Sequence, residues 1–169
     1  MYKNKTLKKF KCKTNLNYGA IAVLNMNNIT GIIKFRMKPG NKTFVEYEID
    51  GLEDGKHGFH IHQYGNLSDG CNSACAHFNP DNTEHGGPYS KIRHAGDLGN
   101  VVAVNGKAKG TITVDGLSTD PASRRSIIGR AIIVHEDPDD LGRGGDAESK
   151  KTGNAGARIC CAVIGIMPL

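Results

Sequence analysis

The sequence predicts an all-β domain, a sandwich or barrel of eight short strands with two long functional loops. Three observations carry that prediction. Apolar and β-branched residues recur in short runs with a period of two, and no stretch sustains a helical period. Glycine, at 22 of 169 residues, and asparagine punctuate the runs. Two segments, 64–97 and 136–156, are polar, glycine-containing and free of periodicity. Loops that long inside a compact domain are usually functional.

The first run, residues 20–24, ends at the turn-rich segment 25–28. Ile29–Lys38 follows and is closed by Pro39-Gly40-Asn41, a turn signal. Over residues 43–50, Val45, Tyr47 and Ile49 alternate with polar Thr43, Glu46 and Glu48, the pattern of a half-buried strand. Residues 57–63 form the next strand. Its period of two places His60 and His62 on one face, Phe59 and Ile61 on the other. After the first long loop, strands resume at 100–104 and 110–115. Residues 127–135 are a β-prone run ending in His135. Residues 157–166 close the chain as an apolar strand.

A chain of 169 residues is one domain by length. Its net charge of +5 is a property of one end: residues 1–18 hold six lysines and no acid, which leaves −1 for residues 19–169. Residues 1–18 therefore read as a basic, solvated extension, not as a nucleic-acid or anionic-surface binder, and 19–169 as the folded domain. The N-terminus lacks the apolar stretch of a signal peptide, and no run approaches the length of a membrane span. The expectation is a soluble, cytoplasmic protein whose five cysteines would ordinarily be free thiols.

Chemistry concentrates in the histidines. Six of the seven fall in metal-ligand spacings, and Asp97 completes the set: His60-x-His62, then His77, His85, His94 and Asp97, then His135. Histidines at i and i+2 on a strand point the same way and can chelate one ion. His85, His94 and Asp97 lie close together on the loop, and three ligands with a fourth make a closed tetrahedral zinc site. Imidazole suits zinc and copper, while a carboxylate suits zinc better. Spacing alone leaves open which ion each histidine serves.

The stretches GFHIH (58–62), HFNP (77–80), HGGP (85–88), RHAGDLGN (93–100), IIGRAIIVHE (127–136), DDLGRGG (139–145) and KTGNAGAR (151–158) match, in order and spacing, the motifs of the copper–zinc superoxide dismutases. The chain resembles that family over about residues 19–168. The resemblance implies an eight-stranded antiparallel Greek-key barrel and dismutation of superoxide to dioxygen and hydrogen peroxide, with one copper and one zinc ion per subunit. By the same resemblance, copper is held by His60, His62, His77 and His135, and zinc by His77, His85, His94 and Asp97, with His77 as the bridge. Asp139 is expected to join a copper histidine to a zinc histidine through hydrogen bonds. Arg158 is expected to attract the superoxide anion beside copper, with Lys151 and Thr152 lining the channel. His57 matches a buried position that binds no metal.

The resemblance also implies a disulfide between Cys71 and Cys161. Cys160 adjoins Cys161, and neighbouring side chains on a strand face opposite ways, so only one of the two is correctly aimed. Cys75-Ala76 stands where relatives carry Gly-Pro, and the Cys75 thiol is a rival for copper or for the disulfide. Asp137 stands where many relatives carry lysine. Ile21, Val23, Tyr64, Gly65, Ile128, Gly129, Val163 and Ile166 match an apolar patch used for homodimers. Segment 157–161 has no proline, which suggests maturation without an obligatory copper chaperone. The alternative to an enzyme is a copper-delivery or copper-storage module on the same fold. Such modules typically lose copper ligands, whereas this chain keeps all four histidines and Arg158.

Overall fold

Two antiparallel sheets form the computed structural model, which describes residues 18–169. The basic extension read at 1–18 thus lies, apart from Tyr18, outside the described residues. Three strands open the chain: β1 (Tyr18–Met26), β2 (Ile29–Lys38) and β3 (Lys42–Asp50). The first hairpin turns on Asn27 and Asn28, both at positive φ, as a two-residue turn matched to the strand twist requires. Next come β4 (Gly55–His62), the short β5 (Ser68–Cys71), β6 (Asp97–Ala103), β7 (Lys107–Asp115) and β8 (Ala131–His135). A single helical turn, α1 (Ser149–Thr152), precedes β9 (Arg158–Val163) and β10 (Gly165–Pro168).

One sheet has the order β10-β1-β2-β3-β7 and the other β6-β4-β8-β9. β9 and β10 are one run bent at Ile164: β9 pairs with β8 and β10 with β1, so the run stitches the sheets together along one side. The β6–β7 hairpin, closed by the Val104–Lys107 bridge, joins them on the other. With β9–β10 counted once and β5 lying inside the first long loop, the barrel has the eight strands expected. The β3–β4 and β7–β8 connections pass from one sheet to the other, giving the Greek-key path.

Alternation along β3 sends Val45, Tyr47 and Ile49 inward and Glu46 and Glu48 outward. Thr43, grouped above with the polar positions, shares the inward face. It is fully buried, and its hydroxyl donates to the Leu117 carbonyl at 3.3 Å. The run 127–135 becomes a strand only from Ala131. Gly129 at φ 77° breaks the extension, and Arg130 closes a turn onto the Ile127 carbonyl.

β8 is buried along its whole length and β4 from His57 onward. Phe59, Ile61, Ile132 and Val134 fill the core, while His60, His62 and His135 point outward beneath the two long loops. The ladder shifts register between Gly58 and His60 and between Val134 and His135. Bulges re-aim side chains, and these two sit beside the outward histidines.

A second, smaller apolar cluster, Cys71, Ala74, Ala131, Ile133 and Cys161, lies under the first loop. Cys71 and Cys161 form a disulfide within it, Cα–Cα 5.8 Å. Cys160 points into the main core, so Cys161 is the correctly aimed neighbour, and Cys75 is an exposed free thiol. Closing a loop with a sequence separation of 90 restricts the unfolded chain by about 4–5 kcal/mol. No described helix is long and apolar enough to cross a membrane.

Candidate metal centre

The first long loop folds back on β4 and β6 so that His77, His85, His94 and Asp97 converge. Asp97 opens β6, and its Oδ2 accepts the main-chain N–H groups of His94 (2.7 Å) and Gly86 (3.1 Å). That leaves Oδ1 facing the Nδ1 atoms of His77, His85 and His94 at 2.9, 3.1 and 3.2 Å. His94 Nδ1 is 3.4 Å from His77 Nδ1. A tetrahedral zinc ion with bonds of about 2.0–2.1 Å needs ligand atoms about 3.3 Å apart, which is close to these separations. His85 Nδ1 is buried without a hydrogen-bond partner, because the Asp97 oxygen lies near it but not in a hydrogen-bonding direction.

The second group is His60, His62, His77 and His135, whose ligand atoms all lie within 4.8 Å of one another. Here the outward-facing nitrogens are tied down. His60 Nε2 is 2.9 Å from Asp139 Oδ2, His62 Nδ1 2.7 Å from the Cys75 carbonyl, and His135 Nδ1 3.2 Å from the Gly156 carbonyl. Their other nitrogens turn inward: His62 Nε2 and His135 Nε2 are 3.3 Å apart, and His60 Nδ1 is buried with no hydrogen-bond partner. A buried polar atom left without a partner is rare and points to something unseen that satisfies it. His77 belongs to both groups. Its Nδ1 faces Asp97, which leaves Nε2 for the other side.

Asp139 joins the groups. One oxygen meets His60 and the other is 2.8 Å from His85 Nε2. Asn100, which the sequence reading left without a role, fixes this carboxylate's backbone: its amide donates to the Asp139 carbonyl at 2.9 Å and accepts the Asp139 N–H at 2.7 Å. The only sequence signal was its place at the end of RHAGDLGN. Gly153, at φ 69°, leaves room for the arrangement, since a Cβ there would come within 2.0 Å of Asp139 Oδ1. His57 stands outside both groups, with its ring nitrogens 2.9 and 2.8 Å from the carbonyls of His135 and Glu53.

Above the second group a cleft of about 820 Å³ exposes the edges of His62, His77 and His135, with Arg158, Lys151 and Thr152 in its wall. Arg158 donates to the carbonyls of Cys71 (2.8 Å), Asn72 (3.1 Å) and Cys75 (2.7 Å). Lys151 lies 3.9 Å from Glu148, an exposed pairing worth little. Lys150 also lines the cleft. Asp137 is exposed beside it, its carboxylate against Gly156.

The family model described as copper/zinc superoxide dismutase (SODC) matches residues 29–164. The superoxide dismutase [Cu-Zn] of Paramecium bursaria Chlorella virus 1 is 55% identical over 148 residues, 86% of this chain and 77% of that protein. The superoxide dismutase [Cu-Zn] A of Xenopus laevis is 49% identical over 150 residues, 88% of this chain and 98% of that one.

The chain belongs to the copper/zinc superoxide dismutase family.

The crystal structure of the clock protein EA4 superposes with a TM-score of 0.86 at 42% identity, covering 94% of this chain and all of that one. The donor sets suit the family's two metals: three imidazoles and a carboxylate in one group, four imidazoles in the other. In this superoxide dismutase chain the electrostatics of the four-imidazole group agree. Burial, helped by neighbouring histidines, holds His60 and His62 well below the ordinary imidazole range. Burial lowers His77 as well, against its hydrogen bond to Asp97, and pushes His135 down to about 4. These rings are neutral at physiological pH, the form that binds a metal. Burial also opposes a charge on His85, but its hydrogen bond to Asp139 and the negative charge of nearby Asp97 outweigh it and raise that group to about 9. Burial acts to raise Asp97, and its three histidine contacts overcome this, keeping the carboxylate ionised far below its usual range.

Proposed function

We propose that this chain dismutes superoxide, with copper held by His60, His62, His77 and His135 and zinc by His77, His85, His94 and Asp97. The observation that carries the assignment is His77, which sits in both ligand groups with one ring nitrogen turned to each. Copper bound in the four-imidazole group supplies one-electron redox chemistry, and zinc, which has none, supplies charge and rigidity.

The chain's own residues do the rest. Arg158 is cationic at all working pH values, and its three backbone acceptors hold it in the cleft wall. There it draws in and orients a small anion. Lys151 and Thr152 line the approach. His77 Nε2 is the atom placed to take up and hand on a proton as peroxide forms. Asp139 keeps His60 and His85 in register, so the two groups keep their geometry together. Variant His135→Ala tests the assignment: it should lose copper and activity and keep zinc, as read by metal analysis and superoxide consumption.

Residues 19–169 form the catalytic domain. Assembly is a homodimer. Val23, Tyr64, Val163 and Ile166 are 59, 51, 44 and 56% exposed in the single chain. A cluster of large apolar side chains in solvent marks an interaction surface, and twofold symmetry is the commonest way to cover one. A stable monomer in light scattering at micromolar concentration contradicts this. The compartment is the cytoplasm. Because residues 157–161 contain no proline, β9 can bring Cys161 to Cys71 without a dedicated copper chaperone. Expression in chaperone-deficient cells, followed by disulfide mapping, tests that.

A further inference from the structure

Met26 ends β1 immediately before the Asn27-Asn28 turn. Its thioether sulfur lies 3.6 Å from Cys71 Sγ and 4.0 Å from Cys161 Sγ. It is half-buried and packs against both the main core and the small cluster that contains the disulfide. The turn beside it is anchored, since the Asn27 side-chain amide donates to the Ile159 carbonyl at 3.0 Å, two residues before Cys161. Met26 is therefore held against the sulfur pair and open to solvent at the same time.

A thioether in such a position reacts with peroxide. The sulfur attacks one oxygen of hydrogen peroxide, the O–O bond breaks, and the second oxygen leaves as water. Sulfur is oxidised by two electrons and peroxide is reduced. The sulfoxide is a strong acceptor, and Ala74, Ala131, Ile133 and Leu67 around the disulfide offer it apolar side chains. Burying an unsatisfied polar group is unfavourable, so the oxidised side chain swings out to water and its packing is lost.

We propose that Met26 is an oxidation-sensitive cover on the Cys71–Cys161 disulfide. Conversion to the sulfoxide by hydrogen peroxide opens the bond to thiol reductants. The source of peroxide rests on the proposed dismutation, whose product it is; the opening of the disulfide does not. The consequence reaches the cleft, because the Cys71 carbonyl is one of the three that hold Arg158.

The test is the rate at which dithiothreitol reduces the disulfide in the metal-loaded protein, followed by trapping new thiols with iodoacetamide and mass analysis. Hydrogen peroxide added beforehand makes the outcome independent of dismutase activity. Pre-treated wild type carrying Met26 sulfoxide should be reduced about fivefold faster or more, as expected for a weakened local structure. Met26→Leu, close in volume and not oxidisable, should be reduced at the untreated wild-type rate with or without peroxide. Met26→Gln, polar from the start, should be fast without peroxide. The proposal is overturned if Met26 sulfoxide leaves the rate unchanged, if peroxide speeds Met26→Leu as much as wild type, or if Met37 and Met167 oxidise while Met26 does not. If Met26→Gln fails to fold, the wild-type and Met26→Leu comparison still decides.

Discussion

Arg158 donates a hydrogen bond to the main-chain oxygen of Cys75 at 2.7 Å. The same oxygen is 2.7 Å from His62 Nδ1, so the cleft cation and a metal-ligand histidine share one anchor. Cys75 adopts φ 66°, ψ −149°, a region essentially reserved for glycine. The main chain at Cys75, more than its thiol, is what the site uses.

Replacing the guanidinium tests the cleft. Arg158→Gln should lower kcat/KM for superoxide by about tenfold or more at low ionic strength, with copper and zinc content unchanged. Arg158→Lys keeps the charge without the fork of donors and should fall between the two. An unchanged rate in Arg158→Gln would remove Arg158 from substrate attraction.

The link between the two metal groups is testable at Asp139. Asp139→Ala strips the acceptor from His60 Nε2 and His85 Nε2, and zinc affinity should drop about 10–100-fold. Asn100→Ala, acting only through the Asp139 backbone, should give a smaller loss of the same kind. Chelator competition against zinc reads both. If Asn100→Ala costs more than Asp139→Ala, the order of dependence is wrong.

Asp137→Lys removes an exposed acid beside Gly156 and should raise the superoxide rate at low salt. The gain should shrink as ionic strength approaches physiological, where screening acts within about 8–10 Å. A rate that falls, or one indifferent to salt, places Asp137 outside the path of the anion.

For the metal-free protein the sign of the pH dependence follows from His135. Its folded pKa is about 4 against an ordinary 6.5, so between those values the unfolded chain binds more protons than the folded one. Stability is therefore lost as pH falls through that window, and His60 and His62 act in the same direction. His85, raised to about 9, acts oppositely and costs stability as pH rises from 6.5 to 9. The metal-free Tm should be lower at pH 4.5 than at pH 7, whereas an unchanged or higher Tm at pH 4.5 contradicts the burial argument.

The strands of this barrel were largely legible because alternation reports burial on one face, as at Val45, Tyr47 and Ile49. Where both faces are buried the pattern disappears, which is why residues 127–130 read as part of β8 although Gly129 turns the chain there. The bend at Ile164 that splits the last run into β9 and β10 was marked only by Gly165, because Val163 and Ile166 continue the apolar run on either side. The ligand groups were visible as residue types and spacings. Invisible were the contacts made through backbone atoms, the Cys75 carbonyl and the Asn100 clamp on Asp139, and the long-range side-chain contact of Met26 on the disulfide. A backbone carbonyl has no letter in the sequence, so its partners emerge only once the chain is folded.

The most direct test of the central claim is superoxide consumption measured on the purified protein alongside its metal content, before and after selective removal of copper. The protein should carry one copper and one zinc per chain, turn over at a rate proportional to copper, and show no catalysis in the zinc-only form. A zinc-only form that consumes superoxide at the full rate would contradict that claim.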